Sequence, residues 1–312
     1  MTYHWTLGEI ENLRGQRFLV TGANSGIGYS TCLELAKKGA TIVMASRDLR
    51  KLDDALARIR ESVPGAILEP LILDLASLSS VKSAAEEELE KQLPLNVLIN
   101  NAGVMAPPKR LLTQDGYELQ FGTNVLGHFA LTQRLLPLLE RAESARVVNV
   151  ASVAHKRGRF QFHDLHWENS YDPMKSYAQS KLANLVFSLE LERRLRQASS
   201  SVMSVACHPG VANTNLFVTG DYGVIEKAIR KVASLIIGLF LNSELQGAVP
   251  TLFAASSKLV QGGCYYGPRG VREIRGGNVG RADIRPQALD EESAQRLWDI
   301  CEELTCLNFL SK

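Results

Sequence analysis

Short apolar runs alternate with stretches of helical periodicity along nearly the whole chain. Gln16–Thr21 (QRFLVT), Thr41–Ala45 (TIVMA), Ile67–Leu73, Asn96–Ile99, Ala145–Val150 and Val202–Cys207 are apolar runs of strand length, and Gly263–Tyr266 adds a short seventh. Runs of this length, bounded by glycine or polar turns, predict buried strands. Between them, helices are predicted after the glycine turn through Lys38, from Asp48 to Glu61, over 79–92 with Pro94 beyond, over Gly116–Leu139, over Ser176–Arg196 and, at the end, over Leu289–Leu304. In Ser176–Arg196 the apolar residues Ala178, Leu182, Leu185 and Leu189 recur at intervals of 4, 3 and 4, which buries one helical face. Strands alternating with helices predict an α/β fold: a doubly wound parallel sheet of about seven strands with helices on both faces. We expect one domain over residues 1–312, with a polar, aromatic excursion at 155–175 and a substrate lid at about 210–241.

Composition narrows the function only by exclusion. Hydrophobic residues at 45% and charged residues at 22% are ordinary globular values, and a formal net charge of +2 gives no field that would draw nucleic acid. The five cysteines (Cys32, Cys207, Cys264, Cys301 and Cys306) are scattered without zinc-site spacing, as expected of reduced thiols in a cytoplasmic protein. Residues 1 to 14 show neither an apolar core nor a cleavage site, so secretion is not expected. The most apolar run, Val232–Leu241, has about half of the roughly 20 residues a bilayer crossing needs. Lys227, Arg230 and Lys231 precede it. This suits a lid over an apolar substrate, with weak membrane-surface contact through 227–241, and equally a helix packed on the body.

The candidate chemistry gathers at strand ends. The first strand runs into TGANSGIG at 21–28, a glycine turn before a helix, where Gly22, Asn24, Ser25, Gly26, Ile27 and Gly28 are placed to meet a phosphate. The second strand ends at Ser46 and Arg47, where an arginine rather than an acid favours the 2′-phosphate of NADP over NAD. Asp74 and Leu75 end the third strand, suited to an adenine contact or, for Asp74, to capping the next helix. Asn101, Ala102 and Gly103 of the NNAG segment follow the fourth; small and amide residues there can hold a cofactor or simply join strands. Asn124 and His128 lie four apart on a long apolar helix, and Ser152 ends the fifth strand, as a functional hydroxyl or a cap. Pro209, Gly210, Val211 and Thr214 follow the sixth strand as a loop for the nicotinamide end. His163, His166 and Glu168 lie too close in sequence to face one ion, so no metal is expected.

Tyr177 and Lys181 are four apart, on one helical face. A tyrosine with a pKa of about 10 is a poor base near neutrality, and a neighbouring ammonium favours its phenolate. The pair therefore constitutes a tunable acid/base, or else a packed tyrosine beside a solvated lysine.

In order along the chain, TGANSGIG at 21–28, NNAG at 100–103, Asn124, Ser152 and YAQSK at 177–181 closely resemble the short-chain dehydrogenase/reductase family from about residue 15 onward. NNAGVM, NVLGHF, FHDL and the long segment before YAQSKLAN look most like its retinol dehydrogenase and carbonyl reductase branch. The resemblance implies the family's Rossmann fold with strand order 3-2-1-4-5-6-7. It also implies Tyr177 as acid/base, Lys181 holding the nicotinamide ribose, Ser152 positioning the substrate oxygen and Asn124 keeping a proton-relaying water. NADP(H) is the implied cofactor, and the implied partners are a small apolar alcohol, aldehyde or ketone and a second copy paired through the helices at 116–139 and 176–196. Reduction of an activated carbon–carbon double bond, and a dinucleotide-binding sensor without turnover, are the competing readings.

Overall fold

The computed structural model describes residues 2–210, 243–270, 273, 276, 278–308 and 310. Its sheet comprises β1 (Thr2–Tyr3), β2 (Arg17–Thr21), β3 (Thr41–Ser46), β4 (Ile67–Ile72), β5 (Val97–Asn100), β6 (Arg146–Val150), β7 (Met203–Cys207), β8 (Tyr265–Pro268) and β9 (Val279–Arg281). They lie in the order β1-β9-β8-β7-β6-β5-β2-β3-β4. The seven expected strands stand in the expected order and pair in parallel. The expected count is corrected to nine among the described residues: β1 and β9 extend the β8 edge antiparallel. They left no local signal, because they are two and three residues long and pair Thr2 with Gly280 across the chain.

The alternation of side chains along each strand sorts the core into two. Phe18, Val20, Ile42, Met44, Val97 and Ile99 join one buried cluster with α1 (Gly26–Lys37), α2 (Leu49–Ser62) and α6 (Glu244–Ser256). Leu19, Val43, Ala45, Leu98 and Val147 join the other, with α3 (Leu78–Glu90), α4 (119–139), α5 (Pro173–Gln197) and α7 (Glu291–Thr305). Each fully buried Leu, Ile, Val or Phe contributes about 1.5–3 kcal/mol, so both faces of the sheet are held by the same force.

Two helix starts lie three residues from expectation and one further helix was not expected, each for a local reason. Helix α4 begins at Leu119, not Gly116: Gly116 takes φ +87° in a turn, and the Glu118 carboxylate accepts the Phe121 N–H at 2.8 Å as the cap. Within α4 a π-turn covers Gly122–Leu126 before regular helix resumes over Gly127–Leu139. Helix α5 begins at Pro173 rather than Ser176, because Asp172 accepts the Met174 and Lys175 N–H groups and Pro173 suits the first turn. Helix α6 was not expected, although Ser243 and Gln246 form a reciprocal capping box legible in the sequence.

The 155–175 excursion opens as a 3₁₀ turn, Val153–Arg157, and then runs irregularly to Asp172. In it the His166 ring stacks on Tyr117 at 5.3 Å. Beyond Gly210, the expected lid with its membrane-surface contact lies outside the described residues. No helix among the described residues is long and apolar enough to cross a membrane.

Candidate active site

The chain winds outward from β2 through β3 to β4, and in the opposite direction from β5 through β6 to β7. The reversal between β2 and β5 leaves a crevice at the carboxyl ends of the strands, where open α/β sheets bind ligands. A cavity of about 1280 Å³ opens there. It exceeds the roughly 300–1,000 Å³ of a site for one drug-sized molecule, so a dinucleotide and a second reactant fit together. All the expected site residues line it except Asn124, which is buried behind it, and Val211 and Thr214, which lie outside the described residues.

At one end is the glycine turn. Gly22 and Gly26 take φ of +66° and +58°, conformations that a side chain strains. A Cβ on Gly28 would lie 2.3 Å from the Gly22 carbonyl oxygen and 2.7 Å from Asn101 Nδ2, so only glycine lets the turn close. Ser25 precedes α1 without a side-chain capping bond, leaving first-turn N–H groups available to an anion. The turn is tied to the end of β5: Asn101 Nδ2 donates to the Thr21 carbonyl at 2.8 Å, and the Asn101 and Ala102 N–H groups each donate to Thr21 Oγ1 at 2.9 Å.

Beyond the turn, Ser46, Arg47, Lys51 and Arg58 line the wall. The Lys51 ammonium pairs with Asp48 at 3.1 Å, and Arg58 lies over the Tyr29 ring at 4.2 Å. Arg47 has no acidic partner among the described residues. Asp74 does not cap α3; Ser77 does so by accepting the Ser80 N–H, while Asp74 accepts the Ala76 N–H and faces the cavity.

At the other end, Ser152, Tyr177 and Lys181 converge. Ser152 is both cap and wall: its hydroxyl accepts the Ala154 N–H at 3.2 Å and hydrogen-bonds Tyr177. Burial pushes the Tyr177 phenol up to about 12, and the Ser152 bond only partly offsets this. Burial also lowers Lys181 to about 8. The expected lowering of the tyrosine by its lysine is therefore corrected. The ammonium lies 5.9 Å from the phenol ring centre and donates to the Val150 carbonyl at 3.0 Å, so desolvation outweighs its field.

Asn124 serves this end from behind. Its Oδ1 accepts the Val104 N–H at 2.8 Å, and its Nδ2 donates to the Val104 carbonyl at 3.0 Å and to Ser180 Oγ at 2.9 Å. Its side chain thus clamps the segment after β5 to α5 beside Lys181.

The profile of the short chain dehydrogenase family matches residues 16–220. The chain belongs to that family. Human retinol dehydrogenase 14 is 37% identical over 310 residues, which cover 95% of this chain and 88% of the relative. Human retinol dehydrogenase 13 is 39% identical over 289 residues, covering 91% and 82%. A crystal structure of an uncharacterized protein from Mycobacterium Paratuberculosis shares 38% identity, covers 98% of both chains and superposes with a TM-score of 0.78. The chain stands on the family's retinol dehydrogenase branch and is a dinucleotide-dependent oxidoreductase.

Several lining residues of this family member carried no signal in the sequence. Lys156, Arg157, Met174, Lys175 and Arg285 surround the Ser152 end. Lys156 is paired with Glu273 at 2.7 Å. Helix caps and surface charges have the same composition, and only the folding of 153–157 and 285 onto one rim makes them neighbours. The glycine turn gives a direct check. Gly28→Ala should weaken dinucleotide binding by roughly tenfold or more, equivalent to the 1–3 kcal/mol typical of overpacking. Fluorescence titration with the dinucleotide measures it, and an affinity equal to wild type would show that the turn tolerates a methyl group.

Proposed function

We propose that this chain is an NADP(H)-dependent oxidoreductase that interconverts the alcohol and carbonyl forms of a small apolar molecule, with Tyr177 as the acid/base. The observation carrying this reading is the convergence of Ser152, Tyr177 and Lys181 at one end of a cavity whose other end holds the glycine turn and Arg47, which has no acidic partner among the described residues. Gly22, Asn24, Ser25, Gly26, Ile27 and Gly28 would hold the pyrophosphate, Ser46 and Arg47 the 2′-phosphate, and Asp74 and Leu75 the adenine. Asn101, Ala102 and Gly103 would form the wall beside the nicotinamide ribose, and Pro209, Gly210, Val211 and Thr214 would close over the ring.

The bound dinucleotide supplies the hydride. Carbonyl reduction also needs a proton at oxygen, and a phenol held near pKa 12 is protonated throughout the neutral range. Tyr177 gives up that proton, Ser152 orients the substrate oxygen, and the Lys181 charge stabilises the phenolate that results. Asn124 braces Lys181 and would keep the water that relays the proton outward. The names of the relatives support an apolar alcohol or aldehyde of retinoid type. The same groups would serve reduction of an activated double bond, whereas a sensor without turnover has no use for all three together. Free cysteines among the described residues support a cytoplasmic location, and the family resemblance supports a homodimer through α4 and α5.

Tyr177→Phe should lower turnover roughly 10³-fold, within the range of general acid–base catalysis, while NADPH still binds; near-normal turnover would remove Tyr177 from the chemistry. Arg47→Asp should cost NADPH roughly ten- to a hundredfold in affinity, the worth of a charged hydrogen bond, and NADH much less. Equal losses would point away from a 2′-phosphate. The pH dependence has a definite sign. Tyr177 keeps its proton up to about 12, but Lys181 loses its charge above about 8, so kcat/KM for reduction should be level below pH 8 and fall above it. A profile still rising beyond pH 8 would count against a charged Lys181.

A further inference from the structure

His128 is 2% exposed and lines no part of the cavity, yet it joins the pieces that do. Its Nδ1 lies 3.0 Å from the Asn124 main-chain carbonyl, and its Nε2 lies 2.9 Å from Thr21 Oγ1. A carbonyl can only accept, so Nδ1 carries the proton. Thr21 Oγ1 already accepts two N–H groups, from Asn101 and Ala102, and of the two acceptors facing its own hydrogen, Nε2 at 2.9 Å and the Ile99 carbonyl at 3.4 Å, the nearer Nε2 takes it. The neutral Nδ1–H tautomer thus meets both contacts of the ring. Burial and the nearby Lys181 charge hold the imidazole near pKa 4, so it stays neutral in the working range.

The contact sits beside the π-turn. The turn over Gly122–Leu126 shifts the backbone ladder of α4 by one residue, and the imidazole just beyond it meets the Asn124 carbonyl. On its far side, the Asn124 amide binds Val104 and Ser180, and Ser180 precedes Lys181. Gly103 lies against both Asn124 and Lys181: a Cβ there would lie 3.2 Å from Asn124 Oδ1 and 3.5 Å from Lys181 Nζ. A continuous polar chain therefore runs from the Asn101–Ala102 wall through Thr21, His128 and Asn124 to α5.

We propose that His128 is a positioning residue of the oxidoreductase site, fixing Asn124, and the segment after β5 that Asn124 binds, beside Lys181. The proposal rests on the function assigned above. It makes the proton side of the reaction, rather than dinucleotide binding, sensitive to a residue that touches neither reactant.

The test compares His128→Phe, Thr21→Val and Thr21→Ser with wild type, using NADPH and an apolar aldehyde that the wild type reduces. His128→Phe should lower kcat roughly a hundredfold, the cost of misplacing a reacting group by about 1 Å, with little change in KM. Its solvent deuterium isotope effect on kcat should rise, because proton transfer becomes slower than hydride transfer. NADPH affinity, followed by tryptophan fluorescence without turnover, should change far less than kcat. Thr21→Val should shift kcat and the isotope effect in the same direction, and Thr21→Ser, which keeps the hydroxyl, should recover most of the loss. A His128→Phe protein with a lower melting temperature but wild-type kcat and isotope effect would overturn the proposal, as would a loss confined to NADPH affinity. If His128→Phe does not fold, wild-type kcat and isotope effect in Thr21→Val overturn it instead. Turnover surviving in Tyr177→Phe would defeat the underlying function, whereas an inactive Tyr177→Phe beside a normal His128→Phe would defeat this inference alone.

Discussion

The contact on which the cavity depends is the approach of Gly28 to the Gly22 carbonyl and Asn101. The gap is too narrow for a Cβ, and it draws the start of α1 against the end of β5. Because β2 and β5 are neighbours at the point where the sheet reverses direction, this one approach places a helix N-terminus and a strand end around the same crevice. Thr21 locks the closure with a hydroxyl that takes two backbone N–H groups of the opposite segment. The glycine-turn end of the cavity is thus a consequence of backbone packing.

The other end is governed by desolvation. Tyr177 and Lys181 are 7% and 4% exposed, and burial disfavours the charged form of each, raising the phenol and lowering the ammonium. The two shifts act in opposite senses: one holds the proton on the phenol, the other makes the lysine's charge conditional on pH. The Ser152 hydrogen bond limits the rise at Tyr177, while Lys181 donates to the Val150 carbonyl where water is excluded.

The Ser152 end is less apolar than a purely hydrophobic substrate would ask for. Lys156, Arg157, Lys175 and Arg285 share its rim with Val153, Ala154 and Met174. Pairing of Lys156 with Glu273 and of Lys175 with Asp172 takes up part of that charge.

The sequence alone determined the layered architecture and most of the site. Alternation of apolar runs with helical periodicity leaves few ways to wind a parallel sheet, and the strand ends of such a sheet always face one side, so Gly22, Arg47, Asp74, Asn101 and Ser152 had to gather there. The fourfold spacing of Tyr177 and Lys181 likewise needed only helical geometry. What the tertiary structure decided was whatever depends on partners distant in sequence: the edge strands joining Thr2 to Gly280, the rim residue Arg285, and the buried link of His128 to Thr21, 107 residues away. It also set the sign of the Tyr177 shift. Spacing fixes which groups are near one another, but the balance between a neighbour's charge and lost hydration depends on how completely the surrounding chain excludes water, and no local pattern encodes that.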